Sequence, residues 1–241
     1  MIMSGRVLIA LVFLLTATLS LLQAAQVPPP AVGPPAPPPP VERLGTNRFR
    51  IGQVTVNSAT REVSVAGTVN DVGTLEFVAN TKGGMKAYES ALTLDTSAIA
   101  FNTALILIGL DKSHARVPTR HFDPETPDGD PVEIWIDIPP ANGRLAVRLA
   151  PEQLLFDKRQ NQDLEKGNWV YTGSFVFPDG RYLADLDGVL IGFVHSPAPV
   201  IENPRGIGVH RYGEIVLNPK LGLTPGLTVT LTVKASGPRQ P

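Results

Sequence analysis

The sequence predicts an α+β fold dominated by β structure. It reads as one domain of largely antiparallel sheet, a sandwich or partly open barrel, with one main helix near residues 97–108. Three observations predict this. Several segments alternate apolar and polar residues with period two, the mark of half-buried strands. No β–α–β alternation runs along the chain, so a doubly wound parallel sheet is not expected. One segment only carries a broad apolar stripe behind N-cap residues.

The elements follow in order. Phe49–Val56 reads as a strand, Asn57–Arg61 as a turn, and Glu62–Val69 as a second strand with Val63 and Val65 on one face. Thr74–Asn80 continues the pattern, Thr81–Gly84 breaks it, and Lys86–Thr93 resumes it. Asp95, Thr96 and Ser97 are N-cap types whose side-chain oxygens accept from the free amides of a first helical turn. Ala98, Ile99, Phe101, Ala104, Leu105 and Ile108 then form the helical stripe, and Gly109 suits a left-handed C-terminal cap. This helix is too apolar to stand in water and is expected to cover the sheet. Residues 111–130 read as a surface loop. Val132–Ile138 alternates cleanly, and Arg144–Leu149 returns after a Pro-Pro turn. Pro151 starts a short helical turn to Phe156, and residues 157–166 are polar. Trp169–Phe177, Arg181–Leu186, Val189–Val194, Glu214–Leu217 and Thr228–Lys234 read as strands, joined by Pro178-Asp179-Gly180 and Asp187-Gly188 turns.

The N-terminal region precedes this body. Arg6, an apolar run of 16 residues from Val7 to Leu22, and then Ala24 and Ala25 make the pattern of a signal peptide, assigned to residues 1–25. The run is short for a bilayer core of about 30 Å, which needs roughly 20 helical residues. Residues 26–43 are a linker; nine of the 13 residues from Pro28 to Pro40 are proline, which favours an extended polyproline spacer. The domain is assigned to residues 44–236, and 237–241 to a disordered tail.

Composition narrows the function. Lys and Arg number 21 against 22 Asp and Glu, so no basic excess points to nucleic acid. The chain has no cysteine, which excludes disulfides, thiolate metal sites and cysteine nucleophiles. P-loop, dinucleotide and Gly-x-Ser-x-Gly motifs are absent. Asp123, Glu125, Asp128 and Asp130 are hard oxygen ligands in one loop, but their spacing does not match a calcium loop. His114, His121, His195 and His210 lack zinc-motif spacing. No metal site and no cofactor are expected. If Asp185 and Asp187 lie on a strand, they share a face and can act as an acid/base pair; a turn that simply uses Asp187-Gly188 is the plainer reading. Glu89, in a semi-apolar strand, needs partners if it is buried.

Taken together, Phe49–Val69, Tyr88-Glu89-Ser90-Ala91-Leu92, Ala104–Leu110, Trp169-Val170-Tyr171-Thr172-Gly173-Ser174, Tyr182–Gly188 and Ile201-Glu202-Asn203-Pro204 resemble the YdjY-like domain of exported bacterial proteins over residues 47–235. That resemblance implies an extracytoplasmic domain without an established activity. Some relatives are described as ferredoxin-like with iron–sulfur ligation, which a cysteine-free chain does not share. It also singles out Glu89, Trp169, Ser174, Asp185 and Asn203. The expectation is a periplasmic or extracellular, non-enzymatic binding or structural module of the cell envelope. Its binding candidates are Trp169, Asn203 and Asp187; its partner is an envelope protein, a glycan or a small ligand. Nucleic acid is excluded, and a membrane is reached only through an uncleaved leader. The alternative is a small hydrolase or cation-dependent enzyme using Glu89 with Asp185 or Asp187, with Ser174 as a further catalytic candidate.

Overall fold

A computed structural model describes residues 39–140, 145–207 and 211–237. The leader and most of the linker lie outside these residues, as do His210 and residues 238–241 of the tail. The described strands are β1 Val41–Arg43, β2 Arg48–Ile51, β3 Val54–Asn57, β4 Glu62–Val69, β5 Phe77–Thr81, β6 Ser90–Leu94, β7 Asp130–Ile138 and β8 Val147–Leu149. They continue with β9 Leu155–Asp157, β10 Gln162–Asp163, β11 Trp169–Tyr171, β12 Val189–Gly192, β13 Ile201–Glu202, β14 Ile215–Leu217 and β15 Thr228–Ala235. The helices are α1 Ala98–Leu107, α2 Pro151–Leu154 and α3 Leu183–Asp187.

Eight strands close a barrel in the order β4-β15-β7-β11-β13-β12-β5-β6, and β6 pairs back onto β4. Closure gives every stave a neighbour on both sides and leaves free sheet edge only over short stretches, as at Glu133–Trp135 of β7. Six of the eight contacts are antiparallel; β5–β6 and β12–β13 are parallel. The alternating residues of β4, β7 and β15 bury as their period requires: Val63, Val65 and Val69; Val132, Ile134, Ile136 and Ile138; Val229, Leu231 and Val233. Strands β1 to β3 extend the sheet from β4, and β9, β10 and β14 form a separate small sheet.

Helix α1 matches its expected span. The Ser97 side chain accepts from the Ala100 N–H, and Gly109 adopts φ +87° just beyond the helix. It packs on β2, β3, β12 and α3, burying Ala98, Phe101, Ala104 and Leu105.

Several expectations are corrected. Phe49–Val56 is two strands, because Gly52 takes φ +57° and turns the chain between them. Val41–Arg43, within the expected linker, pairs with β2. The strand expected from Lys86 begins only at Ser90, after a 3₁₀ turn over Ala87–Glu89. The strand from Trp169 stops at Tyr171, because Gly173 and Ser174 both have positive φ, +70° and +57°. Arg181–Leu186 is no strand: Leu183–Asp187 is helical and Gly188 caps it at φ +74°.

Candidate functional site

The topology gathers polar groups at one rim of the barrel. Strands β5 and β6 run parallel with Phe77 opposite Ser90, so Glu76 and Glu89 sit side by side where the two strands begin. The Glu76 N–H donates to the Glu89 carbonyl at 2.9 Å. Antiparallel β12 ends at the same rim, with Gly192 opposite Phe77, and parallel β13 ends beside it, with Glu202 opposite Gly192. Glu89, Glu76 and Glu202 therefore stand at one end of neighbouring staves, and all three are buried.

Each carboxyl meets this burial differently. Lys86 brings its Nζ to 2.6 Å from Glu89 Oε1 and donates to the Tyr88 hydroxyl at 3.2 Å. Burial opposes the Lys86 charge, but these two partners outweigh it and raise its pKa. His121, from the loop after β6 and α1, places Nε2 at 3.2 Å from Glu76 Oε2. Burial, then the neighbouring Glu89 charge, pushes Glu76 up to about 7, with Lys86 opposing. Burial and Lys86 push His121 below its ordinary value, against the pull of Glu89. Glu202 is fully buried; its Oε1 accepts the Ser196 N–H at 3.2 Å and its Oε2 has no hydrogen-bond partner. Burial therefore holds Glu202 well above the usual carboxyl range. The His121 ring stacks on Phe122 at 4.2 Å, and Phe122 meets Tyr212 edge-on at 6.5 Å. These groups, with the exposed Tyr88, form an aromatic border to the rim.

Of the expected catalytic residues, only Glu89 belongs to this cluster. Ser174 is buried, and its hydroxyl donates to the Ala198 carbonyl at 2.7 Å and the Pro197 carbonyl at 3.2 Å. Asp185 and Asp187 do not converge. A helical turn replaces the expected strand, and residues two apart on a helix point to different sides. Asp185 is exposed, lining a groove with Gly84, Met85 and Ser97. Asp187 is half-buried, and burial raises its pKa against the pull of Lys86.

Among the expected binding residues, Trp169 is buried and donates its indole N–H to Glu152 Oε1 at 3.0 Å. The Asn203 side chain accepts from the backbone of Arg205 at 2.9 Å and of Gly206 at 3.4 Å, shaping the turn after β13. His195 lies with Nδ1 at 3.1 Å from the Asp123 carbonyl and Nε2 at 3.0 Å from the Asn203 carbonyl. His114 meets Asp130 at 3.1 Å.

The 111–130 loop is tied down rather than freely exposed. Asp123 is buried and accepts from the Thr119 N–H and hydroxyl and from the Glu125 N–H. Among the described residues, no group of three or more His, Asp or Glu side chains is placed to hold a metal ion. Sequence reasoning missed Glu76, Lys86, Glu152 and Glu202. Its available signal was a lone acid inside an apolar run, as in Leu75-Glu76-Phe77-Val78 and Val200-Ile201-Glu202.

The described strands form a closed mixed barrel with buried carboxyls at one rim. The YdjY domain model matches residues 54–205, more than half of the chain, and the chain belongs to that family. No curated protein and no solved structure gives a match. Among the described residues, no helix is long and apolar enough to cross a membrane.

Proposed function

We propose that this protein is an exported module of the bacterial cell envelope that binds an envelope component and catalyses no reaction. The observation that carries this reading is the occupation of its reactive side chains. Ser174 is held by two carbonyls, His195 lies between two others, and Lys86 compensates Glu89. A nucleophile or general base must be free to reach a substrate proton, and these groups face the protein itself. The basic start, apolar run and proline-rich segment of the N-terminal region support export and a spacer role.

Two measurements test the reading. The protein is expected to co-sediment with isolated cell envelopes. It is also expected to turn over ester, phosphate and glycoside chromogenic substrates no faster than buffer. Turnover abolished by Glu76→Gln would reverse the conclusion. One observation favours that second reading: Glu76 titrates near neutrality beside the exposed His121, as an acid/base pair does.

A further inference from the structure

Strand β7 has a continuous neighbour on one side only. Strand β15 pairs with it from Val132 to Asp137. On the other side, β11 covers Asp130–Val132 and β8 covers Ile136–Ile138, leaving Glu133–Trp135 between them without a strand. Glu152 closes the floor of this split, its Oε1 accepting from the Gly167 N–H at 3.1 Å and from the Trp169 indole at 3.0 Å. Above that floor a cavity of about 540 Å³ opens, lined by Glu133, Trp135, Lys166 and Asn168. This volume falls within the range of small-molecule sites, about 300–1,000 Å³. A second cavity of about 620 Å³ shares Pro131, Lys166, Gly167 and Asn168 with it and continues to Asp128 and Arg205.

We propose that this split in the barrel wall is a saccharide site, and that its ligand is an uncharged oligosaccharide lying along the two joined cavities with one ring on the Trp135 indole. The proposal rests on the envelope-binding reading and names the ligand class for it. Three features select that ligand.

Trp135 sits on the outer face of β7, half-buried, in one row with Thr232 of β15 and Ser64 of β4. A flat indole with the polar Asn168 and Lys166 beside it in the lining matches a pyranose, which presents an apolar C–H face and a polar edge. Charges of both signs line the groove: Glu133, Glu152 and Asp128 against Lys166 and Arg205. Arg205 is already paired with Glu165 at 2.5 Å. No single-sign field is present to draw a polyanion or polycation. The shared lining makes the groove elongated, which fits several linked rings better than one small molecule.

The chain has two tryptophans and both line the first cavity, Trp169 only 2% exposed, so a change in emission on ligand addition reports the groove, and its loss in Trp135→Phe assigns it to Trp135. Purified protein is titrated with chitotetraose and with cellotetraose to millimolar concentration. A saturable emission change is expected with at least one of them. Binding measured by calorimetry is expected to weaken about tenfold in Trp135→Ala and to survive largely in Trp135→Phe, since the stacking face is retained. No saturable response to either sugar, or equal affinity in Trp135→Ala, overturns the proposal. Should Trp135→Ala fail to fold, protection of the wild-type indole from N-bromosuccinimide by the sugar replaces it, and equal oxidation rates with and without sugar overturn the proposal. Envelope co-sedimentation separates the two readings. If Trp135→Ala sediments as the wild type does, the saccharide site fails while the envelope-binding reading stands.

Discussion

Among the described residues, Glu76 carries a pH signature that falls in the neutral range. Its ordinary carboxyl pKa of 4.5 rises to about 7 in the folded barrel. Between those values the folded state holds a proton that the unfolded chain releases, so stability falls as pH rises through the window. A shift of this size corresponds to at most about 3 kcal/mol, or about 5–10 °C in Tm for a domain of this length. Glu202, raised by complete burial, acts in the same direction. His121 acts oppositely: held below its ordinary 6.5, it favours the folded state as pH rises toward that value. Thermal melts from pH 5 to pH 8 are expected to show a declining Tm for the wild type. In Glu76→Gln, whose amide stands in for the protonated acid, the decline should be shallower; an unchanged slope would mean that Glu76 does not hold this proton. Glu202→Gln should be at least as stable as the wild type at pH 8, since it removes a buried carboxyl whose Oε2 lacks a partner. A loss of several degrees there would show that ionised Glu202 has a partner in solution.

At the scale of the element, the strands legible in the sequence are those with one buried face. β4, β7 and β15 alternate strictly because the barrel interior covers one side of each. Strands β11 and β13 are three and two residues long and buried throughout, so no alternation marks their ends, and the sequence predicts no strand at β13. The site was less legible still. Glu89 was singled out, but its neighbour Glu76 meets it only through parallel pairing of β5 and β6, a register that local patterning does not contain. Convergence of Asp185 and Asp187 depends on a strand, and i, i+2 neighbours diverge on the turn of α3. β4 also shows how one strand closes the ring. It pairs with β3 over Glu62–Ser64 and changes to β6 over Gly67–Val69. A side chain at Gly67 would stand 2.7 Å from both the Thr93 carbonyl oxygen and Leu94 Cδ2. The carbonyl belongs to the backbone of β6 and cannot step aside without loosening the closure. Gly67→Ala is expected to lower stability by about 1–3 kcal/mol, as overpacking does. A urea midpoint equal to that of the wild type would show that β4 and β6 separate freely at this point.

For the whole molecule, the decisive fact is that the family match and the barrel do not have the same limits. The matched stretch ends at residue 205, whereas β15, Thr228–Ala235, lies between β4 and β7 and is one of the eight staves. Through this strand the C-terminal segment joins the first long strand of the barrel to its middle. Val229, Leu231 and Val233 on its inner face are at most 1% exposed, so removing β15 uncovers the Val63 and Val65 face of β4 and the Ile134 and Ile136 face of β7 together. Burial of a side chain of this kind contributes about 1.5–3 kcal/mol, and three lost from β15 alone amount to a large part of the usual net stability of 5–15 kcal/mol. Two long free sheet edges would also appear, along β4 and along the β15 side of β7. A fragment of residues 54–205 is therefore expected to lack a cooperative thermal transition and to be digested rapidly by protease. A fragment of residues 39–237 should melt in one step and resist digestion. Cooperative melting of the shorter fragment would show that seven staves hold the fold by themselves and that β15 is an addition to the family's domain rather than part of its barrel.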